Sequence, residues 1–242
     1  MSNLLIEIGN TALKAAWCEG MTLGRSYRYQ GEKPVDFILE ITAREKPFVM
    51  VLSSQYEISP ADEKRLLPEC ERLMILDPAH TGELERYCLP EHLSFDRAAN
   101  ILAARYLFKG QGCTLFDLGT TMTVDLISPE GDYEGGNISL GCRTRFKALN
   151  RYSRSLPLID NPSETVPLGT SMRSSMEAGV VSGIMFEMEG YMALRPDNVV
   201  VFTGGDANYF AKWMKKPIFV VCNLVLMGLA LFAKGYEEKV DR

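Results

Sequence analysis

The sequence predicts an α/β protein built as a duplication, two similar halves that each present an acidic hairpin. Three stretches carry that expectation. Phe116-Asp117-Leu118-Gly119-Thr120-Thr121-Met122-Thr123-Val124-Asp125 reads as strand, tight turn, strand, with Leu115 and Phe116 leading in and a β-branched run leading out. Leu5-Ile6-Glu7-Ile8-Gly9-Asn10-Thr11 has the same plan. Leu5 aligns with Leu115, Glu7 with Asp117, Gly9 with Gly119 and Thr11 with Thr121. Val199-Val200-Val201-Phe202-Thr203-Gly204-Gly205-Asp206 is a third strand running into glycine and hydroxyl.

Each feature has a chemical meaning. Glycine lets the backbone turn with positive φ and lets a ligand come close. Loops of this build hold phosphate through N–H and hydroxyl donors, while the acid holds a cation. One such loop alone is equally an ordinary hairpin with an Asx turn. Two in equivalent places, with the Thr203-Gly204-Gly205 element, favour a duplicated nucleotide-binding unit.

The remaining elements fall into the same order twice. Leu4–Ile8 and Thr11–Cys18 form the first hairpin, and Met21–Tyr29 adds a third antiparallel strand. Pro34–Arg44 has helical spacing, with Phe37, Ile38 and Ile41 on one face. Phe48–Ser53 is a short buried strand, Pro60–Leu67 a helix with proline in its first turn, and Leu73–Leu76 another strand. Residues 77–94 are loop-rich. Arg97–Phe108 is a helix with Asp96 at its N-cap and a buried face of Ile101, Leu102, Ala104, Tyr106 and Leu107. Lys109-Gly110-Gln111-Gly112 stops it and marks the seam, so the halves span 1–112 and 113–242.

In the second half, strands are expected at Cys113–Leu118, Thr120–Ile127 and Tyr133–Ile138, then a helix at Arg145–Tyr152. Residues 153–167 form a polar connection. Ser171–Ala193 is the longest helix, interrupted by Gly179, Gly183 and Gly190. Each glycine costs a helix roughly 1 kcal/mol against alanine. They imply close backbone packing, against the other half, a second subunit or a nucleotide, or else helix packing within the monomer. Asn198–Phe202, Ala207–Lys215, Ile218–Val221 and Leu224–Lys234 complete the plan as strand, helix, strand, helix.

Composition narrows the classes. The chain has 242 residues, 46% apolar, and a net charge of −5. No basic block suggests nucleic acid or an anionic membrane as partner. The first apolar run, Leu4–Ile8, is too short for a secretory signal and holds Glu7. Phe219–Ala233 is below membrane-spanning length. The six cysteines are scattered without a CxxC, so a reduced cytoplasmic setting is expected rather than zinc or disulfides.

A cleft between two such halves suits a nucleoside triphosphate. Phosphoryl transfer needs positioning and charge neutralisation more than covalent chemistry. Glu7 can hold Mg²⁺, directly or through water. Backbone amides at Gly9, Asn10 and Thr120 can cradle phosphates, with Thr203-Gly204-Gly205 toward the nucleoside. Lys14 either reaches phosphate or is a solvated strand lysine. Asp96-Arg97 is the best candidate pair for the acceptor: a carboxylate to accept a hydroxyl proton and a guanidinium for a substrate carboxylate. The plain alternative is an N-cap aspartate in a surface ion pair.

Gly9-Asn10-Thr11 with Lys14, Asp96-Arg97-Ala98-Ala99-Asn100, Asp117-Leu118-Gly119-Thr120-Thr121, Gly135-Gly136-Asn137-Ile138, Leu156-Pro157 and Thr203-Gly204-Gly205 occur here in one order. Together they resemble the type III pantothenate kinases, over nearly the whole chain. The resemblance implies a duplicated ribonuclease-H-like fold of the actin/Hsp70/sugar-kinase superfamily, with the active site in the cleft between the halves. It implies ATP and pantothenate as substrates, Mg²⁺ or another divalent cation, and K⁺ or NH₄⁺ as a monovalent cation. The family's ATP loop falls on Glu7, Ile8, Gly9, Asn10, Thr11 and Lys14, with further ATP contacts at Thr120, Gly204 and Gly205. Its catalytic base falls on Asp96, and its monovalent-cation ligand on Asp117. The acceptor-binding positions fall on Tyr87, Ser94, Phe95, Arg97 and Met172.

The chain departs from the family pattern at several of these positions. The first aspartate of the ATP loop is Glu7, a glycine before the catalytic aspartate is Ser94, and a substrate-contacting threonine is Met172. Leu140-Gly141 stands for the family's Pro-Gly. Thr170 or Ser171 would be left to supply the hydroxyl lost at Met172. These departures motivate one alternative, a weakened nucleotide-binding regulator; a kinase of the same superfamily with another acceptor is a second, because fold does not fix substrate. Family members are homodimers. Gly179 and Gly183, with Met172, Met176, Met185, Met188 and Met192, make the long helix the expected dimer element, packing on its mate or just beneath the seam.

Overall fold

The computed structural model describes residues 2–160, 162 and 167–240; positions 161 and 163–166 of the polar connection lie outside the described residues. The chain divides into two compact units, Met1–Leu107 with Asn223–Arg242, and Phe108–Cys222.

The first unit is a five-stranded sheet in the order β3-β2-β1-β4-β5. Its strands are β1 (Asn3–Ile8), β2 (Leu13–Glu19), β3 (Thr22–Tyr29), β4 (Val49–Ser54) and β5 (Arg72–Leu76). β1 pairs antiparallel with β2 and parallel with β4. A central strand with a parallel neighbour is covered on both faces, which is why β1 and β4 are apolar almost throughout. β3 is an edge, and its polar residues face water. On one face Leu4, Ile6, Ile8, Ala15 and Trp17 pack under α1 (Pro34–Thr42) and α2 (Pro60–Leu66). On the other lie α3 (Phe95–Leu107) and the final helix α7 (Leu224–Val240), packed along each other, with α7 on β1 and β4.

The second unit repeats the order: β10-β9-β6-β7-β8. It comprises β6 (Cys113–Leu118), β7 (Thr121–Ile127), β8 (Tyr133–Leu140), α4 (Cys142–Tyr152), α5 (Met172–Leu194), β9 (Val199–Thr203), α6 (Ala207–Ala211) and β10 (Phe219–Val220). Phe116, Leu118, Met122, Val124 and Phe202 form its core with Phe146 of α4 and Met176, Val181, Ile184, Met188 and Met192 of α5. No helix among the described residues is long and apolar enough to cross a membrane.

The duplicated plan is therefore present as two five-stranded mixed sheets, with three corrections. First, the expected division gave 113–242 to the second half, yet α7 packs in the first unit. Its Gly228 lies so close to α3 that a Cβ there would stand 1.9 Å from the Ala99 carbonyl oxygen. Second, α3 buries Ala98, Ala99, Ala103 and Ala104 with Ile101 and Leu102, whereas Tyr106 and Leu107 are exposed. Small side chains let two helices approach closely, and the larger residues are displaced outward. Third, Met176, Met188 and Met192 belong to the unit's own core, not to an outer face.

This contact makes a test of its own. Gly228→Ala is expected to destabilise the protein by roughly 1–3 kcal/mol through overpacking, although alanine in a helix is otherwise favoured by about 1 kcal/mol. Urea unfolding measures it, and an unchanged or raised midpoint would contradict the backbone-on-backbone packing.

Candidate active site

In the first unit the β1–β2 turn is closed by Gly9 N–H donating to the Ala12 carbonyl at 3.1 Å. Glu7 stands opposite Lys14 across the hairpin and beside Ser53 of β4. Lys14 Nζ lies 3.0 Å from Glu7 Oε2, with the Glu7 side chain mostly buried. Lys14, its side chain 36% exposed, thus pairs with the loop's acid in this structure. In the second unit Gly119 N–H donates to the Thr121 carbonyl at 3.0 Å. Asp117 stands opposite Thr123 and beside Thr203. The two hairpins match in plan, but the first is one residue longer. Ala12, not Thr11, is the structural partner of Thr121.

The second-unit loop is built by close backbone approach. Gly204 has φ +89°, and a Cβ on it would stand 2.5 Å from both Asp117 Oδ1 and the Leu118 carbonyl oxygen. A Cβ on Gly141, at the start of α4, would stand 1.9 Å from the Gly119 carbonyl oxygen. Gly141 N–H donates to the Thr120 carbonyl at 3.1 Å, as does the Thr144 hydroxyl at 2.6 Å. The Asp117 loop, the Leu140-Gly141 pair and the Thr203-Gly204-Gly205 turn therefore converge. Asp206, which sequence reasoning passed over as the end of a glycine run, joins them: its N–H donates to the Leu118 carbonyl at 2.9 Å. Burial raises the Asp206 carboxyl above its ordinary pKa.

Asp96 does not occupy the N-cap. α3 begins at Phe95, and its first turn closes with Ala98 N–H on the Ser94 carbonyl at 3.0 Å, so the flanking residue is Ser94. Asp96 Oδ1 is buried and has no hydrogen-bond partner among the described residues. Asp77, at the end of β5, shows what a structural carboxylate looks like here. It is fully buried and accepts from Ile58 N–H at 2.8 Å and Ala79 N–H at 3.0 Å, with His80 Nδ1 at 2.7 Å. Burial alone would raise the Asp77 pKa; these three groups outweigh it and hold the carboxyl below its ordinary value. Leaving a buried acceptor unmet costs about 1–3 kcal/mol; eight buried side-chain atoms among the described residues stand so, Asn100 Oδ1 of the same helix included, and Asp96 Oδ1 is the one carboxylate oxygen among them.

Arg97 and Phe95 are buried beside Asp96. Tyr87 closes a short 3-10 turn, Glu85–Tyr87, and its carbonyl accepts from Arg105 Nη1 of α3 at 2.7 Å. In the second unit Met172 begins α5 and is 56% exposed. The Ser171 hydroxyl caps α5 in a reciprocal box with Ser174. Arg105 carried no sequence signal; only the tertiary contact with the Tyr87 carbonyl reveals it.

Metal chemistry fits this donor set in a limited way. No group of three or more His, Cys, Asp or Glu among the described residues makes a metal cage. Mg²⁺ in phosphoryl-transfer sites is held by one or two carboxylates together with substrate phosphates and water. Glu7 offers one such carboxylate. Asp117 Oδ1 and the Leu118 carbonyl, crowding the space beside Gly204, offer hard oxygen donors of the kind a cation takes.

Comparison with known proteins bears on the same residues. Residues 3–194 match a family model described as type III pantothenate kinase. A type III pantothenate kinase from Cytophaga hutchinsonii is 34% identical over 238 residues, covering 94% of this chain and 96% of that one. A solved structure described as a conserved putative Baf family transcriptional activator, from Campylobacter jejuni, superposes with TM-score 0.64 at 20% identity, covering 97% and 99% of the two chains. MreB 5 of Spiroplasma citri bound to AMPPNP does so with TM-score 0.54 at 12% identity, covering 99% and 98%. At those identities the solved structures speak for the fold alone, a duplicated two-domain α/β fold of the actin-like ATPase kind. The matched segment holds both acidic hairpins and Asp96-Arg97, and the chain belongs to the type III pantothenate kinase family.

Proposed function

We propose that this chain transfers the γ-phosphoryl group of ATP to the 4′-hydroxyl of pantothenate, giving ADP and 4′-phosphopantothenate in the first step of coenzyme A biosynthesis. The observation that carries the chemical assignment is the uncompensated oxygen of Asp96. A carboxylate oxygen with no donor is ready to accept one. As the acceptor oxygen bonds to the γ-phosphorus and the bond to ADP breaks, its proton passes to Asp96. Arg97 pairs the acceptor's carboxylate, and Tyr87, Ser94, Phe95 and Met172 are its other contacts. The ATP contacts in this reading are Ile8, Gly9, Asn10, Thr11 and Lys14, with Thr120, Gly204 and Gly205.

Bound Mg²⁺ supplies charge neutralisation across the phosphates, and Glu7 would hold it directly or through water. Lys14 would then exchange its ion pair with Glu7 for phosphate. Asp117 would hold K⁺ or NH₄⁺. We also place the protein in the cytoplasm.

The test is ADP release that depends on pantothenate. Asp96→Asn is expected to lose about 10²–10⁴ in turnover while its thermal midpoint stays near wild type, since Oδ1 has no hydrogen bond to lose. Full activity in Asp96→Asn would overturn the assignment. ATP binding without pantothenate-dependent ADP would favour a regulator, and ADP release with another acceptor alone would favour a different kinase.

The homodimer is part of the same proposal, and α5 supports it. Gly179 and Gly190 have nothing within 4 Å of a built Cβ, and Gly183 meets only the end of Arg145. Phe186, 67% exposed, and Met172, 56% exposed, share that face at helical spacing, while Ile138 of β8 is also exposed. A face of glycines and bare apolar side chains fits a second copy of this chain. Phe186→Glu is expected to shift sedimentation from the dimer to the 27.1 kDa chain. A wild-type protein that sediments as that monomer and is fully active would exclude the dimer.

A further inference from the structure

The helix α7 lies beyond residues 3–194, the segment matched by the family model, yet it touches the candidate acceptor residues of its own unit. Phe232 is fully buried. Its ring packs edge-on against Tyr87, with centroids 4.8 Å apart, and against Phe95 at 6.0 Å. One turn further along α7, Gly235 faces the same tyrosine. A Cβ on Gly235 would stand 2.5 Å from the Tyr87 hydroxyl oxygen and 3.6 Å from its ring carbon Cζ. The Tyr87 hydroxyl thus occupies space that any side chain at 235 would take. The backbone of Tyr87 is fixed as well. Its N–H donates to the Leu84 carbonyl at 3.0 Å, its carbonyl accepts from Arg105 at 2.7 Å, and Cys88 turns the chain away with φ +52°.

Glycine within a helix is disfavoured by about 1 kcal/mol against alanine, so its presence at 235 calls for a local reason. We propose that α7 is the seat of the acceptor-contacting tyrosine: Phe232 and Gly235 are positioning residues that fix the Tyr87 side chain against the ring that Phe95 also meets, and through it set affinity for the acceptor. The inference rests on the reading of Tyr87 as an acceptor contact. Aromatic edge-to-face packing gives the ring one orientation. The missing side chain at 235 gives the hydroxyl one place to be. Loss of this seat moves the far end of one side chain and leaves the sheet and α3 as they are.

A double-mutant cycle tests it, using the whole chain with ATP and pantothenate. Gly235→Ala is expected to raise the KM for pantothenate about two- to tenfold, the worth of one neutral hydrogen bond, with kcat and the KM for ATP near wild type. Tyr87→Phe removes the clashing oxygen and leaves an ordinary 3.6 Å contact with the ring. In that background Gly235→Ala should add nothing, a strongly non-additive pair. An unchanged pantothenate KM in Gly235→Ala, or the same increment in both backgrounds, overturns the seat. Failure of the underlying reading looks different: Tyr87→Phe alone would leave the pantothenate KM untouched. The coupling between the two substitutions is then read from thermal midpoints, and zero coupling there also overturns the seat.

Discussion

The Asp96 carboxylate keeps one oxygen away from water with no donor against it, and such an arrangement survives only where the surrounding packing holds it. Here the packing is between backbones. α3 presents four buried alanines, and α7 lays Gly228 on the Ala99 peptide. The sheet beneath, with β1 apolar from Leu4 to Ile6 and β4 from Val49 to Leu52, gives both helices a rigid floor. The free energy of burying that surface exceeds the cost of one unmet acceptor. Asp77, saturated by three partners, shows that the chain can satisfy a buried carboxylate where no chemistry is asked of it.

The duplication has diverged into two different loops. The first has a longer turn and an internal ion pair, Glu7 with Lys14. The second has no lysine at the equivalent place; Thr123 stands there, and the loop is shaped by Gly141 and Gly204 pressing on its carbonyls. A lysine-bearing loop is suited to phosphate charge. A loop lined with a carboxylate and carbonyls is suited to a cation. Glu7 meets Lys14 directly across the strands, with Lys14 Nζ 3.0 Å from Glu7 Oε2.

Much of this was legible in the sequence. Strand and helix periods identified every major element, and the shared spacing around Glu7 and Asp117 gave the duplication. The failures have physical causes. Thr11 and Thr121 look equivalent because both are threonines one place from the turn, and only hydrogen bonding shows the extra residue. Asp96 looks like an N-cap because aspartate commonly is one, but Ser94 is as good a cap and lies earlier. α7 was assigned to the wrong unit because chain order says nothing of where a terminal helix returns. The methionines of α5 face its own core, and the glycines mark the open face. Gly228 and Gly235 show in the sequence only as glycines near or within a helix, and what each accommodates comes from a distant part of the chain.

The central claim is that Asp96 receives the acceptor's proton. A crystal structure with pantothenate and a non-hydrolysable ATP analogue tests it most directly. The account predicts the 4′-hydroxyl oxygen within about 2.6–3.2 Å of the Asp96 carboxylate, the reach of a general base. A well-ordered pantothenate whose hydroxyl bonds to another side chain, with the Asp96 oxygen still unmet, would contradict it.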